Sequence, residues 1–166
     1  MTVRTTLGID LSLSRTGVAI VKGDKTKTWS VATTPRMGST EKRINFIWTS
    51  IAELIDKYFP EYALIEGPAF GKNHSQFVMG ELAGVIKHNL FVRKVPSFDL
   101  VPPPTLKKFA TGSGKATKDE MLEAALIIRS QVKNHDEADA LFLALKAQEV
   151  LKGSLHSMNQ EKEETT

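Results

Sequence analysis

The chain divides by its spacing of apolar and polar positions. Val3 to Ile9 and Gly17 to Lys22 run or alternate with β-branched residues, and Lys27 to Thr33 does so again after a turn at Gly23-Asp24, predicting three strands in an antiparallel meander. From Ser39 to Tyr58, Ile44, Ile47, Trp48, Ile51, Leu54, Ile55 and Tyr58 recur at three- and four-residue spacing, so this stretch predicts an amphipathic helix ended by Pro60. Tyr62 to Ile65 predicts a short buried strand, placing Glu66 at its end just before Gly67-Pro68. A parallel strand reached through a helix implies a crossover.

Asn73 to Phe91 predicts a second helix, with Phe77, Leu82, Ile86 and Leu90 along it. Its Gly80 and Gly84 lower helix propensity, and close packing against another element is the expected compensation. Val92 to Phe98 predicts a last strand. Pro102-Pro103-Pro104 then breaks the chain before a short helix from Thr105 to Ala110. After a Gly/Ser/Lys loop, Thr117-Lys118-Asp119-Glu120 fits a capping box opening a helix to about Val132, and a final helix spans about Asp136 to Leu151. Residues 153–166 are polar and expected to be disordered, leaving residues 1–152 as one domain. The expected class is α/β, a mixed five-stranded sheet flanked by helices.

Composition adds a compartment and a partner. At 166 residues, 41% hydrophobic and 25% charged, the chain has the make-up of an ordinary globular domain, large enough to bury a core without staples. The absence of cysteine removes thiolate chemistry and Cys-type zinc sites, and suits the cytoplasm. No apolar run approaches a membrane span, and MTVRTTLGID lacks a signal-peptide core. Net charge is +3, and the tail from Lys152 carries two basic and three acidic residues, leaving the body at +4. Lys107, Lys108, Lys115 and Lys118 cluster, which points to a phosphate backbone as partner.

Four carboxylates fall where elements end or begin. Asp10 closes the first strand, Glu66 closes the strand after the long helix, and Asp136 and Asp139 open the last helix, three apart and so on one face. Asp139 is flanked by Ala138, Ala140 and Leu141, where an unpaired charge is costly. Grouped oxygen ligands of this kind suit Mg²⁺ or Mn²⁺. Two such ions can hold the attacking water and the leaving oxygen of a phosphodiester in line. Glu137 and His135 stand next should Asp139 not serve. Lys118 sits in a helix's first turn, where a cation opposes the dipole, and an external anion would explain it. Gly112-Ser113-Gly114-Lys115 lacks the earlier glycine and the following Ser/Thr of a phosphate-binding loop, so it is read as a basic loop.

LGIDLSLSRTGVAIV, YALIEGPAFGKN, TLKKFATGSGKATKDEM and HDEADALFLAL resemble, in order and spacing, the four conserved blocks of the RuvC family of Holliday junction resolvases, across about residues 5 to 150. The resemblance implies an RNase H-like fold and a homodimeric, Mg²⁺-dependent nuclease that nicks four-way junctions symmetrically. Asp10, Glu66, Asp136 and Asp139 then fall on the family's metal-binding acids, and Lys107 and Lys118 on its basic residues near the scissile DNA. Phe70, Lys72 and Asn73 fall where contacts to the junction are expected, although Phe70 stands one place later than the family's aromatic residue. Ser12 replaces a usual glycine.

Rival readings are an RNase H-type or YqgF-like nuclease acting on RNA or hybrids, a catalytically silent DNA-binding relative, and an ATPase domain of the actin and Hsp70 type. The last needs two such domains, and its close phosphate approach needs a glycine at Ser12.

Overall fold

A computed structural model of the chain describes residues 3–67, 74–93 and 95–163. Phe70, Lys72 and Asn73 lie outside the described residues. Its strands are β1 (Thr5–Asp10), β2 (Arg15–Lys22), β3 (Lys25–Ala32), β4 (Tyr62–Glu66) and β5 (Ser97–Val101). Its α-helices are α1 (Thr40–Tyr58), α2 (His74–Val92), α3 (Pro103–Thr111), α4 (Lys118–Ile128) and α5 (His135–Glu163).

The strands form one mixed sheet in the order β3-β2-β1-β4-β5. The meander β1-β2-β3 is antiparallel, while β4 lies parallel to β1 and β5 parallel to β4. A strand buried on both faces reads as a continuous apolar run, as β4 does from Tyr62 to Ile65, while β1 is buried along its whole length with Thr5, Thr6 and Asp10 among its residues. Each face has its own core. Leu7, Ile9, Val18 and Ile65 pack under α1 and α2 with Ile47, Ile51 and Ile86, whereas Ala19, Val21 and Leu64 pack under α3, α4 and α5 with Leu106, Met121 and Phe142.

The seating of α5 on the sheet is set by glycines. A Cβ at Gly8 of β1 would stand 2.1 Å from the carbonyl oxygen of Ala140 and 2.5 Å from the amide nitrogen of Ala144. One at Gly17 of β2 would stand 2.0 Å from the carbonyl oxygen of Asp136. Side chains are excluded at both places, so helix backbone meets strand backbone, and the Thr6 hydroxyl donates to the carbonyl of Ala144 at 2.8 Å.

Several element ends differ from expectation for local reasons. The last strand is Ser97–Val101 rather than Val92 to Phe98, because α2 keeps Val92 and the strand starts only after Pro96, which has no N–H for the ladder. Pro103 and Pro104 belong to α3, at the first helical positions where a missing N–H costs nothing. The capping box at Thr117 and Glu120 forms, with each side chain accepting from the other's backbone amide. Its helix stops at Ile128, because Arg129 turns to extended geometry and donates to the Thr26 hydroxyl at 2.7 Å. The last helix runs on to Glu163, past Leu151 and through residues expected to be disordered. That segment lacks proline, and Leu155, Met158 and Gln160 to Glu163 within it are residues of good helix propensity. Gly80 and Gly84 do not buy close packing within the chain: a Cβ at either meets nothing within 4 Å among the described residues.

Candidate active site

Parallel pairing of β1 with β4 sets Ile9 beside Ile65, so the next residues, Asp10 and Glu66, emerge together at one end of the sheet. Gly17 pairs with Asp10 across β2, and its missing side chain lets the first turn of α5 come down at the same place. One carboxylate oxygen each from Asp10, Glu66 and Asp139 lies within 4.8 Å of the others. Asp136 lines the same cavity of about 340 Å³ but sits nearer its rim, with its side chain 22% exposed and 3.9 Å from the Arg15 guanidinium.

Lys107 from α3 and Lys118 from α4 also line the cavity and face these acids. The position of Lys118 in a helix's first turn is thereby explained: its charge lies close enough to favour the ionised form of Asp139. Lys108 and Lys115 are exposed and lie outside the cavity lining.

The acids oppose one another's ionisation. Burial, then the charge of Glu66 and a hydrogen bond with it, push the Asp10 carboxyl from 3.8 up to about 9, with Asp139 and Asp136 adding to the effect. Burial and Glu66 push Asp139 up to about 7, against the pull of Lys118. Such a cluster holds protons at neutral pH until another positive charge arrives. The donor set is all oxygen, converging and short of positive charge, and this fits a hard divalent cation. His135 is engaged elsewhere, its Nε2 3.0 Å from Asp119 Oδ1, and Glu137 turns away from the cavity toward β3.

Among the described residues, four that the sequence did not single out as site residues also line the cavity, Leu11 among them. Met121 and Pro103 supply apolar wall, and Ser12 lies in the loop after Asp10. Arg43 of α1 braces that loop, donating to the carbonyl of Leu13 at 3.2 Å and to the Thr33 hydroxyl at 2.9 Å. Arg15, which opens β2 five residues after Asp10, became visible only through strand pairing.

A mixed sheet of this strand order, with acids gathered at the ends of its two central strands and at the last helix, defines an RNase H-like domain with a nuclease-type acidic site. The solved structures agree on the fold. A Thermus thermophilus RuvC structure superposes with a TM-score of 0.71 at 22% identity, covering 90% of this chain and 96% of that one. T. thermophilus RuvC in complex with Holliday junction substrate gives 0.72 at 23% identity, covering 86% and 91%. The family model described as crossover junction endodeoxyribonuclease RuvC matches residues 6–147. Proteins named crossover junction endodeoxyribonuclease RuvC from Brachyspira hyodysenteriae and Christiangramia forsetii are 33% and 32% identical to it. Those matches cover 84% and 86% of this chain, and 91% and 78% of those proteins. The chain belongs to the RuvC family.

Proposed function

We propose that this chain is a Mg²⁺-dependent endodeoxyribonuclease that resolves four-way DNA junctions by paired symmetric nicks. The observation that carries the reading is the convergence of Asp10, Glu66 and Asp139 within 4.8 Å in a cavity edged by Lys107 and Lys118. These three acids, with Asp136 beside them, would hold two Mg²⁺ ions, for which Mn²⁺ can substitute. When bound, such ions lower the pKa of a water and neutralise charge building on the phosphate and the leaving oxygen.

The chain's own groups do the rest. The acids give up their protons as the cations arrive, so metal occupancy rises with pH. Lys107 and Lys118 hold the scissile phosphate over the cavity, countering the negative rim that would repel DNA. Lys108 and Lys115 extend this cationic surface along the strand. Phe70, Lys72 and Asn73 are assigned to the junction on sequence alone.

Symmetric nicking needs two sites related by a two-fold axis, hence a homodimer. Phe77 and Phe91 of α2 are 68% and 74% exposed, and open space beside Gly80 and Gly84 lets a second helix approach. A protein of this kind works where the DNA is, in the cytoplasm, and no helix among the described residues is long and apolar enough to cross a membrane.

The test uses end-labelled four-way junction, flap, linear duplex and RNA–DNA hybrid, each with Mg²⁺, Mn²⁺ or EDTA, and light scattering of the protein at micromolar concentration. Paired nicks on the junction, dependent on metal, from a dimeric protein are expected. Cutting of the hybrid alone, or a monomer both free and on the junction, would overturn the substrate or the assembly respectively.

A further inference from the structure

The Asp-x-x-Asp pair encloses a third acid. Successive helix residues point about 100° apart, so Glu137 faces away from the cavity that Asp136 and Asp139 line. Glu137 is 3% exposed, and burying a carboxylate is costly unless it is fully hydrogen-bonded. Here it is. Its Oε2 accepts from the Thr28 hydroxyl at 2.7 Å and from the Lys133 amide at 3.2 Å, and its Oε1 accepts from the Ser30 hydroxyl at 3.0 Å. Asn134 closes the circuit, accepting from the Glu137 amide at 3.0 Å and donating to the Ser30 hydroxyl at 2.8 Å.

Thr28 and Ser30 belong to β3, the outer strand of the meander, two places from β1. Asp10 and Glu66 are fixed by the sheet itself, whereas Asp136 and Asp139 are carried by the start of α5, with a long 3.9 Å contact from Arg15 of β2 to Asp136. Gly17 and Gly8 let that helix lie close, but missing side chains set only how near it comes. Directed bonds are needed to fix its rotation and tilt, and at the first turn the network around Glu137 supplies them. We infer that Glu137, through Thr28, Ser30 and Asn134, is a positioning residue that clamps the start of α5 to β3 and so sets the gap between Asp139 and the acids on the sheet. The inference rests on the metal site proposed above.

Outer partners that orient metal ligands typically change affinity or activity by about 10- to 100-fold when removed. Glu137→Ala is therefore expected to weaken Mn²⁺ binding to the DNA-free protein, read by calorimetry, by about 10- to 100-fold. Single-turnover cleavage should fall alongside, recovering in part as Mn²⁺ is raised, and junction affinity in EDTA should stay within about twofold. Glu137→Gln should recover much of the loss, because the remaining oxygen can keep accepting from Thr28 and the Lys133 amide while the Ser30 hydroxyl turns to accept from the new NH₂ group. Ile51→Val, in the core on the opposite face, controls for lost stability and should leave Mn²⁺ affinity unchanged. If Glu137→Ala does not fold, Ser30→Ala and Thr28→Val remove the β3 donors instead and must show the same Mn²⁺ deficit. Parent-like Mn²⁺ affinity in the folded variants overturns the inference, as does a loss equal to that of Ile51→Val. Asp139→Asn, measured in parallel, separates the two levels: if it too binds Mn²⁺ and cuts like the parent, the metal site itself is wrong.

Discussion

Replacing Gly17 by alanine tests how tightly the last helix must sit. The added Cβ would stand 2.0 Å from the carbonyl oxygen of Asp136 and 2.4 Å from its carbonyl carbon, against 3.4 Å for ordinary contact. The deficit, about 1.4 Å, is against backbone on both sides, so no rotamer change relieves it. Part of it can be shared by the strand, which leaves the first turn of α5 lifted by about 1 Å. A misplacement of that size can cost about 100-fold in rate. Overpacking costs about 1 to 3 kcal/mol, and at about 2 to 4 °C per kcal/mol for a chain of this length the melting temperature should drop by about 2 to 12 °C. The assay is single-turnover cleavage of a labelled four-way junction at saturating protein and Mg²⁺, with junction affinity in EDTA measured beside it. The rate should fall about 100-fold while affinity holds. An alanine variant that melts and cuts like the parent would refute the claim that this close approach places the acids.

Other consequences are open to simple measurement. Asp10 and Asp139 have carboxyl pKa values raised in the folded state, to about 9 and about 7 from 3.8, so the metal-free folded protein binds more protons than the unfolded chain. Their contribution is therefore greatest below about pH 4 and is lost as pH rises through 7 toward 9; thermal melts in EDTA should show this, and Mg²⁺ should raise the melting temperature more at pH 8 than at pH 5. Lys107→Met and Lys118→Met should slow single-turnover cleavage more than they weaken binding, whereas equal losses, with a salt slope reduced by about one, would assign them to plain backbone contact. Thr117→Ala removes the hydroxyl that accepts from the Glu120 amide, and a urea melt should show a loss of about 1 kcal/mol.

The pattern of apolar positions carried the fold because most elements here obey one period each. The meander, α1 within Ser39 to Tyr58, and the capping box at Thr117 were all legible from residues within a few positions of one another. The start of β5 was not, since Val92 and Val95 look alike in sequence and only the end of α2 and the placing of Pro96 decide which belongs to a strand. The tail misled through its polarity, which reads as solvation while its propensity favours helix. At the site, carboxylates at element ends were visible because strand termini and helix starts can be located locally. Glu137 was legible only as a reserve ligand and Arg15 not at all, because their partners on β3 and α5 lie across the sheet, and no spacing along the chain announces Thr28 and Ser30. Gly80 and Gly84 pointed to close packing, yet among the described residues nothing fills the space beside them, and a second chain is the proposed occupant.

The central claim is that the acids at this end of the sheet act through bound metal in cutting branched DNA. Asp139 tests it best, since its carboxylate is one of the three that converge and both burial and Glu66 disfavour its charge unless a cation is bound. The decisive measurement is the single-turnover rate of Asp139→Asn on a labelled four-way junction in Mg²⁺, with its fold and its junction affinity in EDTA checked first. The amide keeps the shape and removes a charged ligand, so cleavage should fall by orders of magnitude while affinity is kept or improves, one negative charge having left the path of the phosphates. A folded Asp139→Asn protein that binds the junction and cuts it near the parent rate would contradict the account.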